Sequence, residues 1–436
     1  MKYYLIGIKG AGLSALSLIL NDLGYQVSGY DDEKSYQFTE EKLIKQNIEI
    51  NTNLNSDIPD GAIIVYSTAI KKDHPQMIKA QQMGLKMYEY YEMLGKLTEK
   101  FSTITVAGCH GKTTTSSYLA HVLKNKNYNY LIGDGTGYAD KKNSGLIIEA
   151  CEYKRHFLNY RSKYAIITNI ELDHVDYFKD IADVVDAYTS YANNASKMVI
   201  ACGDDPYTRF LDVKPPIYFY GLKENNDINA RNIIYNENGI IFDCFTEGNF
   251  YGHFELPIYG KHMLLNALAV ISVCYFERIL GKEATNLLKT FHGAKRRFNE
   301  IVINDTIIID DYAHHPTEVK SVIKACKQKY PDKKIISVFE PHTFTRTQKF
   351  SAILAEVLNQ TDACYIKDIF SAREKQEDYP NVTSKLIIDQ LDNGFHINDD
   401  EVYKLYPYKD NVIVFMSPKQ MTKLETNLIN YLKSLA

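Results

Sequence analysis

Residues 106–115 read Val-Ala-Gly-Cys-His-Gly-Lys-Thr-Thr-Thr. Gly108 and Gly111 permit a tight turn whose backbone N–H groups converge on an anion. Lys112 brings a positive charge, and the Thr113 hydroxyl is a suitable oxygen ligand for Mg²⁺. A helix starting here adds the positive end of its dipole. The pattern is an incomplete G-x-x-x-x-G-K-[ST], because Val106 stands where the first glycine belongs. A glycine turn leading into a helix is the plain alternative. The Lys-Thr pair at a strand–loop–helix junction favours a nucleotide phosphate.

Five further stretches carry reactive side chains. Glu149 closes an apolar run and could hold a metal as a Walker-B acid does, with Glu152 available to share the site. Thr168-Asn169-Ile170-Glu171-Leu172-Asp173-His174 gathers several ligand types in one loop. His174 is an unusual Mg²⁺ ligand and suits Mn²⁺ better; hydrogen bonding at a cleft rim is the other reading. Asp310-Asp311-Tyr312-Ala313-His314-His315-Pro316 lacks the spacing of a helical zinc pair and an evident third ligand. Substrate or nucleotide contacts are expected there, with His314 or His315 placed for proton transfer. Lys295-Arg296-Arg297 reads either as a solvated face or as a clamp on a transferring phosphoryl group. In Pro-His-Thr-Phe-Thr-Arg, His342 and Arg346 suit carboxylate capture, or Arg346 forms a surface ion pair.

These residues need strand ends to hold them, and the hydropathy pattern supplies them in three α/β segments. Residues 1–98 open with an apolar strand over Tyr3–Ile8, the loop Gly7-Ile8-Lys9-Gly10-Ala11-Gly12, a helix over Leu13–Leu23 and a strand over Gln26–Tyr30 ending in Asp31-Asp32. The glycine spacing is G-x-x-G-x-G, not the dinucleotide G-x-G-x-x-G, so a nucleotide-type ligand is favoured over NAD or a structural loop. Residues 99–293 hold the Lys-Thr loop between a strand at Ile104–Ala107 and a helix with Leu119, Val122 and Leu123 on one face. Strands at Leu146–Ile148, Ala165–Thr168 and Met198–Ala201 also end in polar residues, and 217–256 reads as a side sheet. Residues 294–436 form a third unit with strands at Thr306–Asp310, Lys334–Phe339, Ala363–Ile366 and Val412–Met416. Ligands of open α/β sheets sit at the carboxyl ends of strands.

Composition excludes several classes. A net charge of −4 over 436 residues gives no electrostatic case for nucleic acid. Seven cysteines without C-x-x-C argue for a reducing compartment. No run reaches the roughly 18 apolar residues of a membrane span, and the start is too soon broken by Gly7 to read as a signal peptide. A cytoplasmic protein, monomer or homodimer, is expected.

Six motifs then occur in order: Gly-Cys-His-Gly-Lys-Thr-Thr-Thr, Glu-Ala-Cys-Glu-Tyr, Thr-Asn-Ile-Glu-Leu-Asp-His, Gly-Lys-His-Met-Leu-Leu-Asn-Ala-Leu-Ala, Lys-Arg-Arg-Phe and Asp-Asp-Tyr-Ala-His-His-Pro. With the first glycine loop, this ordered set resembles the Mur ligases of bacterial peptidoglycan synthesis over roughly residues 1–420. Within that family it is most similar to the alanine-adding branch of low-GC Gram-positive bacteria. The resemblance implies an N-terminal Rossmann-like domain for a UDP-sugar, a central P-loop ATPase domain with a mostly parallel sheet, and a C-terminal Rossmann-like domain. It implies ATP-dependent ligation of L-alanine to the lactyl carboxylate of UDP-N-acetylmuramate through an acyl phosphate, with Mg²⁺ or Mn²⁺.

Carried over by residue, the resemblance implies phosphate contacts from Gly108, Cys109, His110, Gly111, Lys112, Thr113 and Thr114. Thr113, Glu149 and His174 are implied as metal positions, and His262 and Asn266 as adenine-side contacts. Arg297 and Asp311 are implied on the nucleotide, and Gly10, Ala11, Gly12 and Ser67 on the UDP-sugar. Tyr312, His314, His342 and Arg346 are implied around alanine. Lys112, Glu149, His174, Arg297 and His314 carry the chemistry in that reading. Two positions depart from the pattern. Thr343 stands where many relatives have Arg, which shifts carboxylate capture onto Arg346, and Cys151 replaces an Asp and drops out of a hard-metal site. The rival readings are a recycling ligase that attaches a peptide to the same sugar nucleotide, a P-loop phosphotransferase, a NAD-dependent dehydrogenase and a nucleotide switch.

Overall fold

The computed structural model describes residues 1–372 and 374–435. The three-domain α/β architecture expected from the sequence is present as three sheets, each mostly parallel. The chain gathers into two compact units. The first is Met1–Asn229, Phe245–Asn249 and Asn266–Phe291; the second is Ala230–Cys244, Phe250–Leu265 and His292–Ala436.

In the first unit, β1 (Lys2–Ile6), β2 (Gln26–Tyr30), β3 (Glu49–Asn51), β4 (Ile63–Tyr66) and β5 (Met87–Glu89) form a parallel sheet in the order β3-β2-β1-β4-β5. The strand order reverses between β1 and β4. The glycine loop follows β1 and Ser67 follows β4, so both lie at the crevice where such sheets bind ligands. Gly7, with φ +92, ends β1 two residues earlier than the apolar run does. The following helix starts at Ala11, directly after Gly10.

The second sheet of this unit takes β6 (Ser102–Ala107), β7 (Tyr128–Ile132), β8 (Thr136–Tyr138), β9 (Gly145–Glu149), β10 (Ser162–Ile167), β11 (Ala195–Cys202) and β12 (Ile217–Gly221) in the order β12-β11-β10-β6-β9-β7-β8. Central β6 delivers the Lys-Thr loop; its neighbours β9 and β10 deliver Glu149 and Thr168 to the same sheet end. Both sheets share one core, in which Leu16 and Ile19 of the first helix join Leu131, Leu146 and Ile148. The approach is close: a side chain on Gly137 of β8 would strike the backbone of Ala15, and Ala139 N donates to Asp22 Oδ2 at 3.0 Å.

The side strands read from 217–256 are present beyond β12 as β13 (Ile228–Asn236), β14 (Gly239–Thr246) and β15 (Asn249–Leu256). The second unit contains most of these residues and a six-stranded sheet. Its strands β16 (Asn299–Ile303), β17 (Thr306–Asp311), β18 (Ile335–Phe339), β19 (Ala363–Ile366), β20 (Gly394–His396) and β21 (Val412–Met416) run in the order β16-β17-β21-β18-β19-β20. Only β16 against β17 is antiparallel. β18 and β21 are buried along their whole length, as expected of apolar strands covered on both faces; the one polar residue, Ser337 of β18, is hydrogen-bonded to Thr361 Oγ1. The ends of β17 and β18 present Asp311–His315 and Glu340–His342.

Candidate functional site

In the first unit the Lys-Thr loop takes the geometry its glycines allow. Gly108 has φ +139 and Gly111 φ +82. A side chain at 108 would run into Thr168 Oγ1, and one at 111 would stand 2.6 Å from Asn266 Oδ1. The end of β10 fastens the loop: Thr168 Oγ1 and Asn169 Nδ2 donate to His110 O at 2.6 and 3.0 Å, and His110 N donates to Asn169 Oδ1 at 2.9 Å. Cys109 is buried, with its thiol on Glu171 O at 2.9 Å, and Thr114 is buried in the first turn of the helix Lys112–Val122. His110 Nε2 lies 3.0 Å from Glu171 Oε2. Asn266 thus contacts the loop itself.

Two carboxylates meet the start of that helix. Glu149 accepts Thr113 Oγ1 at 3.1 Å, Ser116 Oγ at 3.2 Å and Gly133 N at 2.7 Å. Burial raises its pKa, against the pull of Gly133 and Lys112. Glu152, 1% exposed, takes Lys112 Nζ at 2.9 Å and faces His174 Nε2 at 3.5 Å. Burial pushes the Glu152 carboxyl up, but Lys112 and His174 pull it below the usual value. His174 itself sits at φ +48 against the ring of Tyr153. The three residues expected around a metal therefore separate: Thr113 bonds Glu149, whereas His174 faces Glu152. Thr113 and Glu149 are hard oxygen donors beside a helix N-terminus, a set that fits Mg²⁺.

One cavity of about 320 Å³ joins this end to the first glycine loop. Gly10, Ala11, Gly12 and Ser67 line one side, and Gly133, Glu149 and Cys151 the other. Gly12 is small for a reason: a side chain there would meet the Tyr90 ring at 2.7 Å. The acid after β2 holds the loop rather than pointing outward. Asp31 Oδ2 accepts Lys9 N at 2.8 Å, and Lys9 Nζ pairs with Glu40 at 2.9 Å. Cys151 stays a neutral thiol, pushed up to about 11 by burial and by Glu152.

The second unit brings the remaining sites together. Arg297 lies over the Tyr312 ring at 4.9 Å and reaches Glu318 Oε1 at 3.5 Å. His314 Nδ1 donates to Tyr312 O at 3.1 Å and faces Glu318 Oε2 at 3.1 Å. His314 and His342 are edge to face at 5.3 Å. Arg346, 8% exposed, donates to His342 Nδ1 at 2.6 Å and is not on the surface. Asp311 accepts Phe298 N at 2.7 Å and Ala313 N at 2.8 Å; burial raises its pKa to about 6 against the pull of Arg297. Burial, then Arg297, lowers His262 to about 4, so its imidazole is neutral. His315 is spent on a capping box with Glu318 at the helix Pro316–Lys329. Arg296 is likewise internal, forked onto Asp310 and the carbonyls of Ser417 and Pro418. Thr343 caps the helix Phe344–Leu358 by accepting Arg346 N. Glu318, which binds both Arg297 and His314, escaped the sequence reading, although its place three residues after His315 is a capping-box signal.

Three protein-family models match the chain: "Mur ligase family, catalytic domain" over residues 2–102, "Mur ligase middle domain" over 106–274 and "Mur ligase, glutamate ligase domain" over 296–428. Among solved structures, UDP-N-acetylmuramate-alanine ligase MurC of Thermotoga maritima is similar with 23% identity, all of both chains covered and a TM-score of 0.84. A murein peptide ligase of Psychrobacter arcticus is similar at 22% identity, 100% and 99% coverage and a TM-score of 0.72. MurF ligase of Thermotoga maritima, in complex with ADP, is similar at 17% identity, 88% and 97% coverage and a TM-score of 0.68. Among the described residues, no helix is long and apolar enough to cross a membrane.

Proposed function

The chain belongs to the Mur ligase family, enzymes that form amide bonds with ATP, and on that premise we propose that it joins L-alanine to UDP-N-acetylmuramate. The γ-phosphoryl group of ATP passes to the lactyl carboxylate, and ADP leaves. The alanine amine attacks the acyl carbon, loses a proton, and phosphate departs. A bare carboxylate is a poor acylating agent, and phosphorylation supplies the leaving group.

The observation that carries this reading is the single cavity running from the glycine loop to Glu149. A diphosphate on Gly10, Ala11 and Gly12, with Ser67 beside it, would place the far end of a sugar nucleotide next to the Thr113–Glu149 pair. In this proposal the turn from Gly108 to Thr114 cradles the ATP phosphates, and Lys112 draws charge off the transferring group. Mg²⁺, or Mn²⁺, held by Thr113 and Glu149, would offset phosphate charge, with His174 beside it on Glu152. Arg297 and Asp311 contact the nucleotide, and His262 and Asn266 the adenine side. Tyr312, His342 and Arg346 receive alanine, and His314 accepts the amine proton. The Gram-positive branch, a cytoplasmic location and domain boundaries near residues 98 and 293 belong to the same proposal.

Phosphate release from ATP and Mg²⁺ with UDP-N-acetylmuramate, measured with and without L-alanine, tests it. Release that needs both partners is expected. Release with the sugar nucleotide and a tripeptide, but not with alanine, would instead make the protein a peptide-recycling ligase.

A further inference from the structure

The sugar-nucleotide cavity of the proposed reaction has a back wall that the glycine loop, Ser67 and Glu149 do not explain. Tyr90, Tyr91, Cys151 and Tyr160 form it. Tyr90 and Tyr91 start the helix Tyr90–Thr98 and pack edge to face at 4.9 Å. Tyr160 follows the short helical stretch Tyr153–Asn159 and is 1% exposed. Its hydroxyl has no hydrogen-bond partner among the described residues. The polar groups that act on it electrostatically are Tyr90, Tyr91 and Cys151 of the cavity wall, and Tyr191 of the core.

The same core shows what a buried phenol ordinarily does. Tyr191 shares its hydroxyl with Thr105 Oγ1 at 2.5 Å. Buried hydroxyls are nearly always paired, and an unpaired one destabilises the protein that contains it. Phenylalanine would fill the same space at 160 without that penalty. The missing acceptor is therefore to be sought in what enters the cavity.

We infer that Tyr160 is a specificity-determining residue whose hydroxyl donates to an acceptor oxygen on the sugar half of the sugar nucleotide. This rests on the ligase reading above. The sugar half is indicated by position. The diphosphate belongs on the glycine loop, and the lactyl carboxylate must reach Glu149. Tyr90 reaches Gly12 of the glycine loop, whereas Tyr91 and Tyr160 lie near Cys151, two residues past Glu149, which places Tyr160 toward the Glu149 end of the cavity. What lies against it is the acetamido- and lactyl-bearing ring, whose oxygens are acceptors. The uridine end lies away from it.

Cys151 offers an independent probe of the same wall. Of the seven cysteines, all of them described, six are buried and Cys151 is not. Alkylation with iodoacetamide at alkaline pH, which offsets the raised thiol pKa, followed by peptide mapping therefore reports on this cavity.

The test is calorimetric binding of UDP-N-acetylmuramate and of UDP to the full chain and to its Tyr160→Phe variant, with labelling of Cys151 in the unaltered protein. Loss of one neutral hydrogen bond predicts a fall in UDP-N-acetylmuramate affinity of about five- to tenfold, or about 1–1.4 kcal/mol. UDP binding should be unchanged, and the ligand-free variant should melt no lower than the parent. UDP-N-acetylmuramate should slow Cys151 labelling more than UDP does. Equal affinities in the two proteins, an equal loss for UDP, or labelling indifferent to saturating UDP-N-acetylmuramate would overturn the contact. Failure of the unaltered protein to bind UDP-N-acetylmuramate would remove the ligase reading itself, and the contact with it.

Discussion

Lys112 Nζ lies 2.9 Å from Glu152 Oε2 and 3.2 Å from Glu152 Oε1, so the half-buried cation of the phosphate loop is paired with a carboxylate 1% exposed. Burial works against the lysine's charge, but Glu152 more than offsets it and its pKa is raised. The pair pre-places Lys112 where phosphate is expected. Lys112→Ala should abolish turnover. It should also lower stability by about 2–3 kcal/mol, because it leaves the buried carboxylate with His174 as its remaining charged neighbour. Adding Glu152→Gln should recover most of that stability and none of the activity. Thermal unfolding of the single and double variants checks this. A single variant as stable as its parent would mean that water already compensates the carboxylate.

Glu149 organises three donors from two elements: Thr113 and Ser116 of the helix, and Gly133 after β7. Glu149→Gln keeps the shape and one acceptor but loses the charge. Turnover should fall by about a hundredfold, comparable to losing one electrostatic contact of a transition state. The Mg²⁺ concentration for half-maximal turnover should rise at the same time. A variant with an unaltered Mg²⁺ dependence would take Glu149 out of the metal position.

What was legible in the sequence follows from how locally each feature is encoded. Strand ends at Glu149, Thr168 and Asp310 could be read because an unbroken apolar run stops at a polar residue; the third of these strands runs one residue further, to Asp311. The glycine loop could be read because Gly7 and Gly12 answer to local backbone and packing demands. The Lys112–Glu152 and Arg297–Glu318 pairs were not legible as pairs, since they join residues 40 and 21 positions apart in different elements. Asp31 was readable as an acid after β2, but not as the acceptor of Lys9 N, which depends on the turn at Gly7. Tyr160 gave no signal: a tyrosine beside an apolar stretch reads as core, and only the unpaired hydroxyl distinguishes it.

Arg346 is proposed to receive the alanine carboxylate while donating to His342 Nδ1. With Thr343 committed to the helix cap, the neighbouring position adds no second guanidinium. Charged hydrogen bonds contribute about 1.5–3 kcal/mol, so Arg346→Ala should raise the KM for alanine by roughly 10- to 100-fold. The KM for ATP should change little. Steady-state kinetics with each substrate varied in turn separates this from a structural effect, which would depress kcat at saturating alanine. An unchanged alanine KM would remove Arg346 from the pocket.

Glu425, on the helix Thr422–Ser434, is 8% exposed, and its Oε1 has no hydrogen-bond partner among the described residues. Burial first, and then Asp310, raises its pKa to about 7; Gln420, Arg296 and the backbone of Met421 pull the other way. An unfolded glutamate titrates near 4.3, so between about pH 4.3 and 7 the folded chain holds a proton that the unfolded chain releases. The resulting stability is fully present below the lower value and is lost as pH rises through the upper one. Asp311, raised to about 6 by burial, acts in the same direction. Stability should therefore decline from about pH 5 to pH 8, with about 2–4 kcal/mol of the change due to Glu425. Glu425→Gln keeps the neutral shape and should flatten most of that slope, leaving the variant more stable than its parent at the alkaline end. Melting temperatures of both proteins across this range decide it, and parallel curves would mean that Glu425 is ionised throughout.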